Sequence, residues 1–180
     1  PRLLLATAAV VDGRPVITTP DETLSTSADL SRWLGRPVTL AAAGDDGGTY
    51  ENPRDPYGET DWMSWQGRGG AWHDSARSRV SIVSTGSLGE WDVRRFRTNI
   101  VVDGEGEDGF VGESVRLGDA VLDVRKRISR CVMVTRPQPG LERDLDVLRT
   151  INREREACLS IGALVTSGAT IRVGDELALA

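Results

Sequence analysis

Apolar residues recur along the chain in short alternating runs, and only two stretches repeat at helical spacing. LLLATAAVV and PVITT flank Asp12-Gly13, a dipeptide suited to a tight hairpin, so residues 2–19 predict two antiparallel strands. SADLSRWLG follows, with Leu30, Trp33 and Leu34 on one helical face and Gly35 as a stop signal. PVTLAAA predicts another short strand. Residues 44–71 are rich in Gly, Asp, Pro and Tyr without periodicity, which predicts a long loop. Loops of that length are usually functional or linkers.

Strand patterns resume at Val80 with VSIVST, NIVVDG, SVRLGDAVLDVRK and CVMVT. RLGDAVLDV at 116–124 and RVGDELALA at 172–180 each predict a strand, a Gly-Asp turn and a second strand. Short hairpins at this density point to a barrel or sandwich. One helix interrupts them. In LERDLDVLRTINRERE, Leu141, Leu145, Leu148 and Ile151 share a face while Arg and Glu cover the other, as in a lid packed on a barrel. GEGEDGFVGE at 104–113 has the glycine density of a phosphate loop but no strand–glycine–helix context. Its acids would repel a phosphate, so it reads as a hairpin tip.

Composition narrows the class. The 180 residues suffice for one large domain or two small ones, and 39% apolar with 27% charged residues is ordinary for a globular chain. A net charge of −5 argues against nucleic acid as a partner, because phosphate binding needs a surplus of cations. No apolar run approaches the roughly 18 residues of a membrane span. PRLLLATAAVV lacks a cationic leader and reads as a strand, not a signal peptide. It starts abruptly at Pro1, so part of the protein is expected upstream. Cys131 and Cys158, 27 positions apart, form neither a disulfide framework nor a C-x-x-C. With His73 the single histidine, a protein-ligated zinc site is poorly supplied, and His73 is expected to be structural. A reducing, cytoplasmic compartment follows.

Three places could carry chemistry. Cys131, in SRCVMVT, follows Arg125-Lys126-Arg127 and Arg130. Nearby positive charge lowers a thiol's pKa, so a reactive or ligating thiolate stands beside the plainer reading of a small buried hydrophobe. Cys158, in EACLSIG, has only the plainer one. In RRFRTN, Arg95 and Arg97 at i and i+2 of an extended segment would share a face and could hold one anion, with Asn99 on the same face. A solvated edge strand is the alternative. Arg149, with Asn152, could serve the helix dipole or reach a ligand.

RRFRTNIVVDG, FVGESVRLGDAVLDV, SRCVMVT, LDVLRT and RVGDELAL, in that order, resemble the MOSC domain. This module occurs at the C-terminus of molybdenum-cofactor sulfurases and in the amidoxime-reducing proteins. The resemblance covers residues 71–180 and is most like that of actinobacterial members. Residues 1–43 resemble the end of the β domain that precedes the module in longer members, and residues 44–70 form a linker. It implies a mainly β fold with a few helices: a MOSC β-barrel preceded by part of an N-terminal β-barrel domain. It implies the molybdenum cofactor, with Cys131 as ligand to the metal and Arg95, Arg97, Asn99, Arg130 and Arg149 around the pterin and its phosphate. Thr98 departs from the family's usual proline, and Cys158 with the following GALV departs from its Gly-Phe-rich ending. The family's N-terminal segment, with its basic cofactor contacts, is not in this sequence.

The expected activity is that of an oxidoreductase which removes oxygen from an N-hydroxylated or similar small substrate. Electrons would come from a separate donor protein (a reductase, ferredoxin or cytochrome), since two separated cysteines build no cluster. No nucleic-acid or membrane partner is expected. Two alternatives compete: a sulfur carrier using a Cys131 persulfide, and a non-catalytic module that holds the cofactor.

Overall fold

A computed structural model describes residues 2–41, 47–53, 61–67, 75 and 78–180. His73 lies outside the described residues. In chain order the elements are β1 (Thr7–Val11), β2 (Arg14–Thr18), β3 (Thr23–Leu24), α1 (Ser27–Leu34), β4 (Thr49–Pro53), β5 (Trp62–Gln66), β6 (Val80–Ser84), α2 (Thr85–Leu88), β7 (Ile100–Val102), β8 (Ser114–Leu117), β9 (Ala120–Ser129), α3 (Asp146–Arg155), β10 (Cys158–Ser167) and β11 (Leu177–Leu179). Short 3-10 turns lie between several of them. The chain divides into two units, one of residues 1–42 with 130–157 and one of residues 43–129 with 158–180.

In the first unit, β1 and β2 pair antiparallel through Asp12 (φ 50) and Gly13 (φ 73), the left-handed pair that a two-residue hairpin requires. Residues Arg2–Leu5 form a 3-10 turn, so the strand begins later than the alternation suggests. Thr26 caps α1 by accepting from the Asp29 N–H at 3.1 Å, and Gly35 (φ 71) ends the helix. Leu30 and Trp33 then bury against Ile17 and Leu24. PVTLAAA is not a strand over residues 37–41. Its backbone is held instead by helix hydroxyls: Ser31 Oγ takes the Val38 N–H at 3.0 Å and Ser27 Oγ takes the Leu40 N–H at 2.9 Å.

The CVMVT strand is also absent. Val132–Thr135 coil into a 3-10 turn, locked where the Thr135 hydroxyl donates to the Val132 carbonyl at 2.8 Å. Helix α3 starts at Asp146, so Leu141 falls outside it and bridges to Gln138. Leu145 is 40% exposed, and Val147 with Ile151 forms the buried stripe.

The second unit holds a curled, half-barrel sheet of six strands in the order β11-β8-β9-β10-β6-β7. All neighbours are antiparallel except β6 and β7. Alternation builds its core: Val115 and Leu117 of β8 and Leu122 and Val124 of β9 point inward to meet Ile82 and Ile161. The RLGDAVLDV hairpin is as expected, with Leu117 opposite Ala120. RVGDELALA supplies only β11, and residues 104–113 are no hairpin tip, because β7 and β8 stand apart in the sheet. Within the expected loop, β4 and β5 pair, and Tyr50 stacks on Trp65 with ring centroids 4.7 Å apart.

Gly162 sits where β10 presses on its neighbours. A Cβ there would lie 2.8 Å from the Ser78 Cβ and 3.4 Å from Ile128, whereas a Cβ at Gly168 meets nothing within 4 Å. Gly162→Ala is expected to lower unfolding free energy by about 1–3 kcal/mol. Gly168→Ala should stay within about 0.5 kcal/mol, both read from urea unfolding curves.

Candidate functional site

The arginine-rich stretch of the second unit is not extended. Val93–Arg95 form a 3-10 turn capped by Asp92, whose Oδ1 accepts from the Arg94 N–H at 2.9 Å. The Arg94 guanidinium grips the same carboxylate, with Nε at 2.9 Å from Oδ1 and a terminal nitrogen at 2.7 Å from Oδ2. These bonds hold the Asp92 carboxyl at about 2, below its ordinary 3.8. Arg95 closes the turn, half-buried. Phe96 is 3% exposed, its ring tilted against Trp91 at 5.9 Å. Arg97 is then exposed with φ 52, in the left-handed region. Strand alternation therefore does not put Arg95, Arg97 and Asn99 on one face: a turn and a left-handed residue separate them.

The residues after Arg97 are fastened. The Thr98 and Ser160 hydroxyls lie 3.2 Å apart, and Ser160 is fully buried with φ 79. Asn99 Oδ1 accepts from the Ser81 N–H at 2.9 Å and from the Ser81 hydroxyl at 2.8 Å, and the Asn99 N–H donates to Ser81 Oγ at 3.0 Å. Ser81 and Ser160 have no signal in the sequence, because strand register alone brings them to this segment. Asp92 was missed as well, although an acid just before a run of arginines is a signal that could have found it.

In the first unit, Cys131 is a free thiol, exposed, at the head of the Val132–Thr135 turn. The Arg130 N–H donates to the Ala157 carbonyl at 2.8 Å. Arg149 pairs with Asp146 at 3.0 Å and is exposed. The cationic run upstream of Cys131 belongs to β9 and has its own partners in the second unit. Arg125 pairs with Asp123, Lys126 Nζ donates to Ser75 Oγ at 3.2 Å, and Arg127 lies 3.2 Å from Asp108. Cys158 is half-buried and opens β10 opposite Ser129.

A cleft of about 890 Å³ in the second unit is lined by Asn99, Val101, Phe110 and Val173, with Asp103 and Glu105 on its wall. These acids set a negative potential that disfavours a phosphate, and Arg97 does not line this cleft.

The family model of the MOSC domain matches residues 65–178. The chain belongs to the MOSC domain family. No curated protein matches it. The match runs from within β5 to within β11 and takes in all six candidate residues. MOSC domains are linked to the molybdenum cofactor. The donor types in this MOSC chain fit that group. Cys131 offers one exposed soft sulfur, suited to a metal whose other sulfurs come with the cofactor, and Arg97 offers an exposed cation suited to its phosphate. Among the described residues, no three or more His, Cys, Asp or Glu side chains gather as a metal site of their own.

The Asp92 carboxyl gives a pH signature. Its lowered folded value means that its contribution is present above the unfolded pKa near 3.8 and is lost as pH falls through about 2. Wild type should exceed Asp92→Asn in stability by a constant margin above pH 4, and that margin should shrink steadily on acidification. Urea midpoints at pH 6, 4 and 2.5 measure it; a margin that grows in acid would contradict the assignment.

Proposed function

We propose that this MOSC protein binds the molybdenum cofactor and works as an oxidoreductase, with Cys131 as protein ligand to the metal. The observation that carries the reading is the free, exposed thiol of Cys131, held at the head of a turn whose next residues are locked by Thr135. When bound, the group supplies a two-electron couple suited to removing oxygen from an N-hydroxylated or similar small substrate. The chain's own part is to bind and orient. Cys131 would contribute the soft donor, and Arg97 would offer its cation to the anionic phosphate, with Arg95, Arg130 and Arg149 adding positive charge in their respective units. Electrons come from a separate donor protein. Two free cysteines suit a reducing, cytoplasmic setting, and among the described residues no helix is long and apolar enough to cross a membrane.

The same exposed thiol would also serve a sulfur carrier through a persulfide, which needs no metal. Two measurements on purified protein from a cofactor-competent host separate the readings. Molybdenum at near one per chain with little cyanide-releasable sulfur supports the first, and the reverse supports the second.

Substitutions then test the residues. Cys131→Ser should fold as wild type yet lose activity and alter the metal's spectrum, because a hydroxyl is a harder donor that stays protonated. Cys158→Ser should act only on stability. Arg97→Ala should weaken cofactor retention by roughly 1.5–3 kcal/mol, the range for a charge-assisted hydrogen bond, with an unchanged fold. Full activity and an unaltered spectrum in Cys131→Ser would end the ligand assignment.

A further inference from the structure

We infer that Thr98, Asn99, Ser81 and Ser160 are positioning residues which hold Arg97 in a strained backbone conformation to present its guanidinium to a compact oxyanion of the phosphate type. This rests on the reading of Arg97 as an anion-binding cation and adds how that cation is held.

The argument starts from the backbone. A residue with a Cβ pays sterically for a left-handed φ, and Arg97 has φ 52. Such strain persists only where surrounding structure over-determines it, and it gathers at functional sites. Here the surroundings do over-determine it. On one side Phe96 is buried against Trp91. On the other, the Thr98 hydroxyl meets Ser160 and Asn99 makes three hydrogen bonds with Ser81. The Ser160 end of this clamp is itself left-handed and sits in a β-bulge, where the register of β10 against β9 shifts between Cys158 and Ile161. Bulges of this kind re-aim side chains beside functional sites.

Among the described residues, the side chain held there has no local partner. Arg97 is exposed and, among the described residues, has no ion-pair partner, whereas its neighbour Arg94 is clasped by Asp92. Glycine would meet the backbone requirement at less cost, so the arginine is explained by its charge. Asn99 changes role in the same step. Its Oδ1 already accepts two hydrogen bonds from Ser81, so it serves the clamp and not the ligand.

The test uses the full chain produced in a host that makes no molybdenum cofactor, with inorganic phosphate as the probe in isothermal titration. Wild type should bind phosphate in the millimolar range or tighter, and Arg97→Ala and Arg97→Gly should each weaken it at least tenfold. Strain is read by comparing those two variants. At an ordinary φ glycine melts below alanine, but at a strained left-handed site Arg97→Gly should melt about 2–4 °C above Arg97→Ala. The clamp is read from Thr98→Val, which should fold normally but bind phosphate about threefold more weakly, while Thr98→Ser keeps wild-type affinity. The inference is overturned by wild type that binds no phosphate, by Arg97→Gly melting at or below Arg97→Ala, or by Thr98→Val binding as wild type does. Molybdenum content of protein from a competent host is measured separately, so failure of the cofactor reading and failure of the clamp give different results.

Discussion

Strand β10 is the constraint on which the second unit depends. It is paired on both edges, with β9 and with β6, and residues Leu159–Ala163 are buried. Over that buried stretch the backbone groups must find partners within the protein, because water does not reach them. It nevertheless carries register shifts at three places, and the first of them contains Ser160. An irregularity in the buried part of a strand is transmitted to whatever packs on it. Here that is the segment around Thr98.

The polar groups near that irregularity are therefore ordered by burial. Ser160 has no access to solvent, so its hydroxyl needs a protein partner, and Thr98 supplies one. A few residues away, Ser84 and Ser87 donate to the buried carboxylate of Glu107 at 2.5 and 2.8 Å. Hydroxyls recur as fasteners because they are small and can donate or accept as the site demands. The first unit uses the same device, with Ser27 and Ser31 of α1 holding the chain that follows the helix.

Much of this architecture was legible in the sequence where periodicity and turn chemistry agreed. The Asp12-Gly13 hairpin, helix α1 with its Gly35 stop, and the β8–β9 hairpin all combine a clear alternation with a residue that tolerates a left-handed φ. Legibility failed where a local hydrogen bond outcompeted alternation. CVMVT has a strand's pattern, but the Thr135 hydroxyl reaches back to Val132 and coils it. RRFRTN looks extended, but Asp92 caps a turn and the chain reverses its handedness at Arg97. The β4–β5 hairpin was hidden because its strands are short and set among glycines and acids, and its cross-strand aromatic pair is visible only once register is known. Among the site residues, Cys131 and Arg97 stood out by chemical type. Ser81 and Ser160 could not, since a serine owes its role to what the fold places opposite it.

The placement of residues 130–157 has a consequence for how the chain folds. Strands β9 and β10 are sequential antiparallel neighbours, yet what joins them is not a turn but a 28-residue excursion that belongs to the other unit. Closing a loop costs entropy that grows only slowly with its length, so the pairing is thermodynamically affordable. Kinetically it is a long-range contact, slower to find than a hairpin. An excursion already collapsed around Val147 and Ile151 would bring its two ends toward each other and shorten that search. The half-barrel would then close late, after the insertion, and an exposed β9 would be the hazard of the interval before it does.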